Sequence, residues 1–113
     1  MLDADVLKQY PQIDCGAVQA LLETRCREDR HKIVVLDDDP TGVQTVHGIS
    51  VYTDWSYESI KKGFEEDNKL FYILTNSRGF TVEQTTRAHV EIGETVAKVS
   101  EETGIDYVIV SRG

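Results

Sequence analysis

The chain has 113 residues, of which 40% are hydrophobic and 28% charged, and its formal net charge is −8. Such a length supports one packed domain, and the composition excludes both a membrane span and intrinsic disorder. Phosphate binding needs a basic face, so an acidic chain with scattered lysines and arginines also excludes nucleic acid as a partner and favours a small polar ligand.

Residues 1–12 are polar and weakly periodic, and Pro11 ends any helix before it, so this stretch reads as a lead-in. Asp14 caps a predicted helix with Val18, Leu21, Leu22 and Cys26 along one side, which dissolves in the charged run 27–31. An apolar side of this kind is expected to pack on a sheet. The two cysteines, Cys15 and Cys26, both lie in that helix. At about 1.5 Å per residue they stand roughly 16 Å apart, too far for a disulfide. With no signal peptide ahead of them, they are expected to be structural thiols in the cytoplasm.

Ile33 to Leu36 form a predicted strand whose unbroken aliphatic run suits a parallel sheet covered on both faces. A second strand is predicted over 49–53. Ser56 then caps a short amphipathic helix, with a Trp55–Ile60 staple and Tyr57, Ile60 and Phe64 on one face. A third strand covers 70–74, and Thr81 with Gln84 opens a long helix by a capping box. Its buried seam is placed on Thr85, His89, Ile92, Val96 and Val99, with His89 expected to be a hydrogen-bonded core residue. Gly104 stops that helix, and a fourth strand, 107–110, delivers Ser111-Arg112-Gly113.

Strands alternating with helices predict an α/β fold: a three-layer, doubly wound, mostly parallel and Rossmann-like sheet of about four strands. Residues 1–29 read as lead-in and helix, and 30–113 as the α/β domain. An end so close to a central strand suggests a part of a longer design, and the edge left open admits pairing of two copies.

Chemistry concentrates at the carboxyl ends of the predicted strands, where open parallel sheets bind ligands. There the first strand delivers Asp37, Asp38 and Asp39 with the turn Pro40-Thr41-Gly42. Adjacent carboxylates repel one another, and a cation or a ligand hydroxyl is what normally offsets the repulsion. Two further loops join them: Thr75 to Gly79, with Asn76, Ser77 and Arg78, and the terminal Ser111-Arg112-Gly113. Arg78 and Arg112 have the planar fork that grips a carboxylate or phosphate, and the hydroxyl and carboxamide groups suit a sugar. His47 lies near the acids without a second His or Cys at metal-ligand spacing, so no metal site is expected.

Two acid-loop chemistries compete on these residues alone. Asp37-x-Asp39-x-Thr41 with the strand into Thr75-Asn76 fits a haloacid-dehalogenase-like, magnesium-dependent phosphatase, although too few residues separate the motifs and no lysine loop is evident. A receiver domain needs an aspartate where Thr75 stands. A sugar-acid-binding module without catalysis is the remaining alternative.

The strings VLDDDPTGVQTVHGISVYTDW, LFYILTNSRGF and VIVSRG together resemble the amino-terminal domain of the four-carbon acid sugar kinase family. That resemblance implies a two-domain, ATP-dependent enzyme phosphorylating hydroxyacids such as threonate or erythronate. The amino-terminal domain binds the sugar acid, and a carboxyl-terminal domain, not present in these residues, binds the nucleotide. The family's Asp-Asp-x-Thr-Gly element falls on Asp38, Asp39, Thr41 and Gly42, with Asp37 an additional acid, and its asparagine-serine-arginine loop on Asn76, Ser77 and Arg78. Its later serine-arginine-glycine run begins at Ser111 and Arg112. Asp38 or Asp39 is then the expected base, Asp37, Thr41, Gly42, Asn76, Ser77 and Ser111 the substrate-binding set, and Arg78 and Arg112 the grip on the substrate carboxylate. ATP and Mg²⁺ are implied for the complete enzyme, with neither tightly held by these residues.

Overall fold

A computed structural model describes residues 3–112. Four strands, β1 (Lys32–Asp37), β2 (Val51–Tyr52), β3 (Leu70–Leu74) and β4 (Tyr107–Arg112), form one sheet in the order β2-β3-β1-β4. Every pairing is parallel. With helices α1 (Cys15–Glu28), α2 (Tyr57–Glu65) and α3 (Val82–Thr103), this is an α/β, Rossmann-like sheet. Among the described residues, no helix is long and apolar enough to cross a membrane.

From β2 the chain steps through α2 to β3 and through α3 to β4 in one direction across the sheet, so crossovers of one hand place both helices on the same face. The core sits there: Val34, Leu36, Phe71 and Ile73 of the sheet meet Ile60 and Phe64 of α2 and Ile92, Val96 and Val99 of α3. Burial of each such side chain contributes roughly 1.5–3 kcal/mol before entropy is charged against it. Gly63 brings α2 close to β3, since a Cβ there would lie 2.7 Å from the Phe71 ring.

The helix ends follow the local chemistry. Ser56 Oγ accepts the Ser59 N–H. Thr81 and Gln84 form a complete capping box, and Gly104 closes α3 at φ 69°, where a side chain would be strained. Asp14 caps α1 through the Ala17 N–H at 3.1 Å.

Five expectations need correction. Helix α1 buries none of its residues. Val18, Leu21 and Leu22 are each more than half exposed, because α2 and α3 occupy the covered face and a stripe of three aliphatics has no partner there. The second strand shrinks to Val51–Tyr52, since β2 is an edge strand pairing only with β3. Strand β4 extends to Arg112, paired along β1 as far as Asp37↔Arg112, so Ser111 and Arg112 belong to a strand end. In the seam of α3, Ala88 is buried whereas Thr85 and His89 are half-buried. The thiols of Cys15 and Cys26 are free and exposed, not packed.

Candidate functional site

Strand β1 is central, with β3 on one side and β4 on the other, so its carboxyl end opens between two neighbours. The backbone ties the three polar segments together there. Thr75 donates to the Asp37 carbonyl through its N–H at 2.9 Å and its hydroxyl at 3.0 Å. Arg78 N–H donates to the Asp38 carbonyl at 3.2 Å, and Asp38 N–H donates to the Arg112 carbonyl at 3.3 Å. The acids, the loop after β3 and the end of β4 therefore share one edge.

Asp37 is 1% exposed. Its Oδ1 receives the Asp39 N–H at 3.5 Å, the limit of a hydrogen bond, and its Oδ2 has no partner among the described residues. Gly42 backs that oxygen so closely that a Cβ would stand 1.9 Å from it. Leaving a buried acceptor unpaired costs about 1–3 kcal/mol, which marks Oδ2 as the atom of this edge most in want of a donor.

Asp38 and Asp39 are in a different state. Arg78 spans them, with Nε and Nη2 on Asp38 at 3.1 and 3.2 Å and Nη1 on Asp39 at 2.7 Å. Asp39 Oδ1 also accepts from the Thr41 hydroxyl at 2.5 Å and the Thr41 N–H at 2.7 Å. The Thr41 hydroxyl above all, then its N–H and the Arg78 charge, hold the Asp39 carboxyl below its ordinary range. The Asp38 carboxylate in turn holds the Arg78 guanidinium above its own. The Arg78 fork is thus filled by the protein's own acids. Arg112 has one such commitment, Nη1 to Thr45 Oγ1 at 2.9 Å.

Two clefts open on this edge. One, of about 280 Å³, is lined by Asp37, Asp38, Asp39, Thr41, Gly42, Arg78 and Arg112. The other, of about 250 Å³, is lined by Leu36, Asp38, Thr75, Ser77, Thr85, His89, Ser111 and Arg112. Both are smaller than the ~300–1,000 Å³ typical for drug-sized ligands and suit a molecule of few heavy atoms. Asn76 lines neither; at φ 52° it holds the left-handed turn that starts the helical turn Ser77–Gly79, a conformation asparagine tolerates. Gly113 lies outside the described residues.

A larger hollow, about 740 Å³, lies at the opposite edge around Lys32 and Asp29. Part of its charge is paired within the protein, while Glu66 Oε2 is buried without a partner among the described residues. Lys32 Nζ donates to the Glu66 and Asn68 carbonyls at 2.7 and 2.6 Å, and Asp29 pairs with Lys69 and His31. The acids, hydroxyls and arginines read from the sequence as candidate site residues stand instead at the carboxyl edge.

Thr45, Thr85 and His89 also border this edge and are not among the site residues read from the sequence. A signal for two of them was present: Thr85 and His89 are the polar members of an otherwise aliphatic seam, on the turns of α3 nearest the Thr75–Gly79 loop.

These features define a parallel α/β domain with a polar candidate site at the carboxyl ends of its central strands. Residues 33–113 match the family described as the sugar-binding N-terminal domain, and the chain belongs to that family. No curated protein and no solved structure matches it.

Proposed function

We propose that the chain is the substrate-binding part of an ATP-dependent kinase that phosphorylates a hydroxyl of four-carbon sugar acids of the threonate or erythronate kind. The observation that carries this is the unpaired, buried Oδ2 of Asp37 beside Arg112, its register neighbour on β4. A polyhydroxy carboxylate supplies what both lack: a hydroxyl donor for the carboxylate and an anion for the guanidinium.

Phosphoryl transfer to an alcohol needs the hydroxyl aligned and its proton accepted. Of the three acids, Asp37 is the proton acceptor this geometry favours, because each carboxylate oxygen of Asp38 and Asp39 already has a donor. Asp38 and Asp39 then act through Arg78, holding the loop in place. ATP enters as the second substrate. The acids here do not form a resident metal site of their own: among the described residues no group of three His, Cys, Asp or Glu side chains stands together to hold an ion. The Arg112 guanidinium lining both clefts is what favours a sugar acid over a neutral sugar in this reading.

The test is a screen of the full-length protein with ATP against threonates, erythronates and neutral tetritols. ADP release with a sugar acid alone is the expected result. Hydrolysis of a generic phosphate ester that is lost in Asp37→Asn, with no kinase activity, would replace the kinase by a phosphatase.

A further inference from the structure

We infer that His89 of α3 is a specificity-determining residue, accepting a hydrogen bond from a hydroxyl of the sugar-acid chain beside Ser77 in the second cleft. The inference rests on the sugar-acid assignment above and extends its site to a helix that assignment does not use.

The Asp37 carbonyl can only accept, so the Thr75 hydroxyl spends its one proton on it. In the 2.9 Å contact between Thr75 Oγ1 and Ser77 Oγ, Ser77 is therefore the donor. Ser77 Oγ, nearly buried, is left with lone pairs only. His89 Nδ1 lies 2.8 Å from the Thr85 carbonyl, another pure acceptor, so Nδ1 carries a proton and in the neutral ring Nε2 is the acceptor. No partner for Nε2 occurs among the described residues. Asp38, which lines the same cleft, is acceptor-only when ionised.

The cleft thus presents Ser77 Oγ and His89 Nε2 as acceptors, together with the donors of Arg112 and the hydroxyls of Thr85 and Ser111. A ligand that fits has an anionic end and several O–H groups along a short chain. A dicarboxylate or a phosphate ester without free hydroxyls would leave Ser77 and His89 unpaired, and a site built to bond hydroxyls discriminates strongly against analogues lacking them.

The test compares wild type, His89→Ala and His89→Gln in the full-length protein, with threonate, erythronate and their 2-deoxy and 3-deoxy counterparts, by binding calorimetry and steady-state kinetics. His89→Ala should raise Kd and KM about tenfold for the parent acid with kcat within about threefold, and His89→Gln, which keeps an acceptor, should recover part of the loss. For one deoxy acid the penalty should vanish, identifying the hydroxyl that His89 reads. Equal penalties on every ligand, or none, overturn the role of His89 while leaving the sugar-acid site standing. Failure of wild type to bind any of these acids overturns both. If His89→Ala does not fold, imidazole ¹⁵N shifts of wild type decide: Nε2 should move on threonate addition while Nδ1 stays, and an unmoved Nε2 with bound threonate is a refutation.

Discussion

Asp37 and Arg112 face each other across the β1–β4 ladder as register partners, yet no bond joins their side chains: Arg112 turns to Thr45 Oγ1 and Asp37 Oδ2 is left without a donor. A buried carboxylate with an unpaired oxygen weakens the fold. Removing its charge should therefore leave stability unharmed while disabling the site. Asp37→Asn is expected to keep or raise the urea midpoint and to lower kcat by about 10²-fold or more, the usual worth of a positioned base. A large loss of stability with activity retained would assign Asp37 to the scaffold.

Gly42 is where the loop presses on that carboxylate. Because a Cβ would sit 1.9–2.4 Å from the Asp37 carboxylate atoms, Gly42→Ala must displace either Asp37 or the Thr41–Thr45 turn. Overpacking of this kind costs about 1–3 kcal/mol. Chemical denaturation should show that loss, and threonate titration should show binding reduced beyond detection. An alanine variant with wild-type affinity would mean that the carboxylate position is irrelevant to the ligand.

The two arginines should separate experimentally. Arg78 has its fork filled by Asp38 and Asp39 and a side chain 62% exposed, so solvent screening leaves its pairs little weight in folding. Arg112 is the freer cation. Arg112→Gln should raise Kd for a sugar acid by about tenfold to a hundredfold, the worth of a charged hydrogen bond, and should leave any weak affinity for the neutral tetritol unchanged. Arg78→Gln should act several-fold less and equally on both ligands, by loosening the acidic loop. The reverse order, read by calorimetry, would place the carboxylate on Arg78.

Much of this was legible because local rules and packing agree. The aliphatic runs of β1 and β3, the Thr81–Gln84 capping box and Gly104 each carry a short-range signal that the fold keeps. The convergence of Asp37, Ser77 and Arg112 followed from one topological rule, that loops after parallel strands share an edge. What could not be read depends on long-range partners. Val18, Leu21 and Leu22 look like a packing stripe, but only the tertiary structure reveals that no face receives it. Lys32 is buried because distant carbonyls of Glu66 and Asn68 take its ammonium, which no charge pattern announces. Arg78 reads as a free fork until the acids it clasps are seen.

Close approach of α2 to β3 can be tested apart from the site. A Cβ on buried Gly63 would meet three atoms of the Phe71 ring within 2.8 Å, and that ring is itself fully buried. Helix propensity favours alanine over glycine by up to about 1 kcal/mol. Overpacking against a ring that cannot retreat outweighs that gain, so Gly63→Ala should destabilise by about 1–3 kcal/mol in urea. A stabilised variant would show that α2 stands further from the sheet.

The acidic loop should leave a signature in the acid limb of stability. Asp39 titrates below its ordinary value of 3.8, chiefly through the Thr41 hydroxyl, then the Thr41 N–H, with Arg78 adding its charge. Below 3.8 the unfolded chain takes up this proton more readily than the folded one. The contribution of Asp39 is therefore fully present above that value and is lost as pH falls through the lower, folded-state value. Thr41→Val removes the hydroxyl donor and keeps the backbone one, so it should erase part of this dependence. Urea midpoints measured from about pH 6 to about pH 2 should show the variant below wild type at the upper end and the two curves converging at the lower end. A gap that stays constant over the whole range would mean that Thr41 supports the turn by packing and not by holding the Asp39 charge.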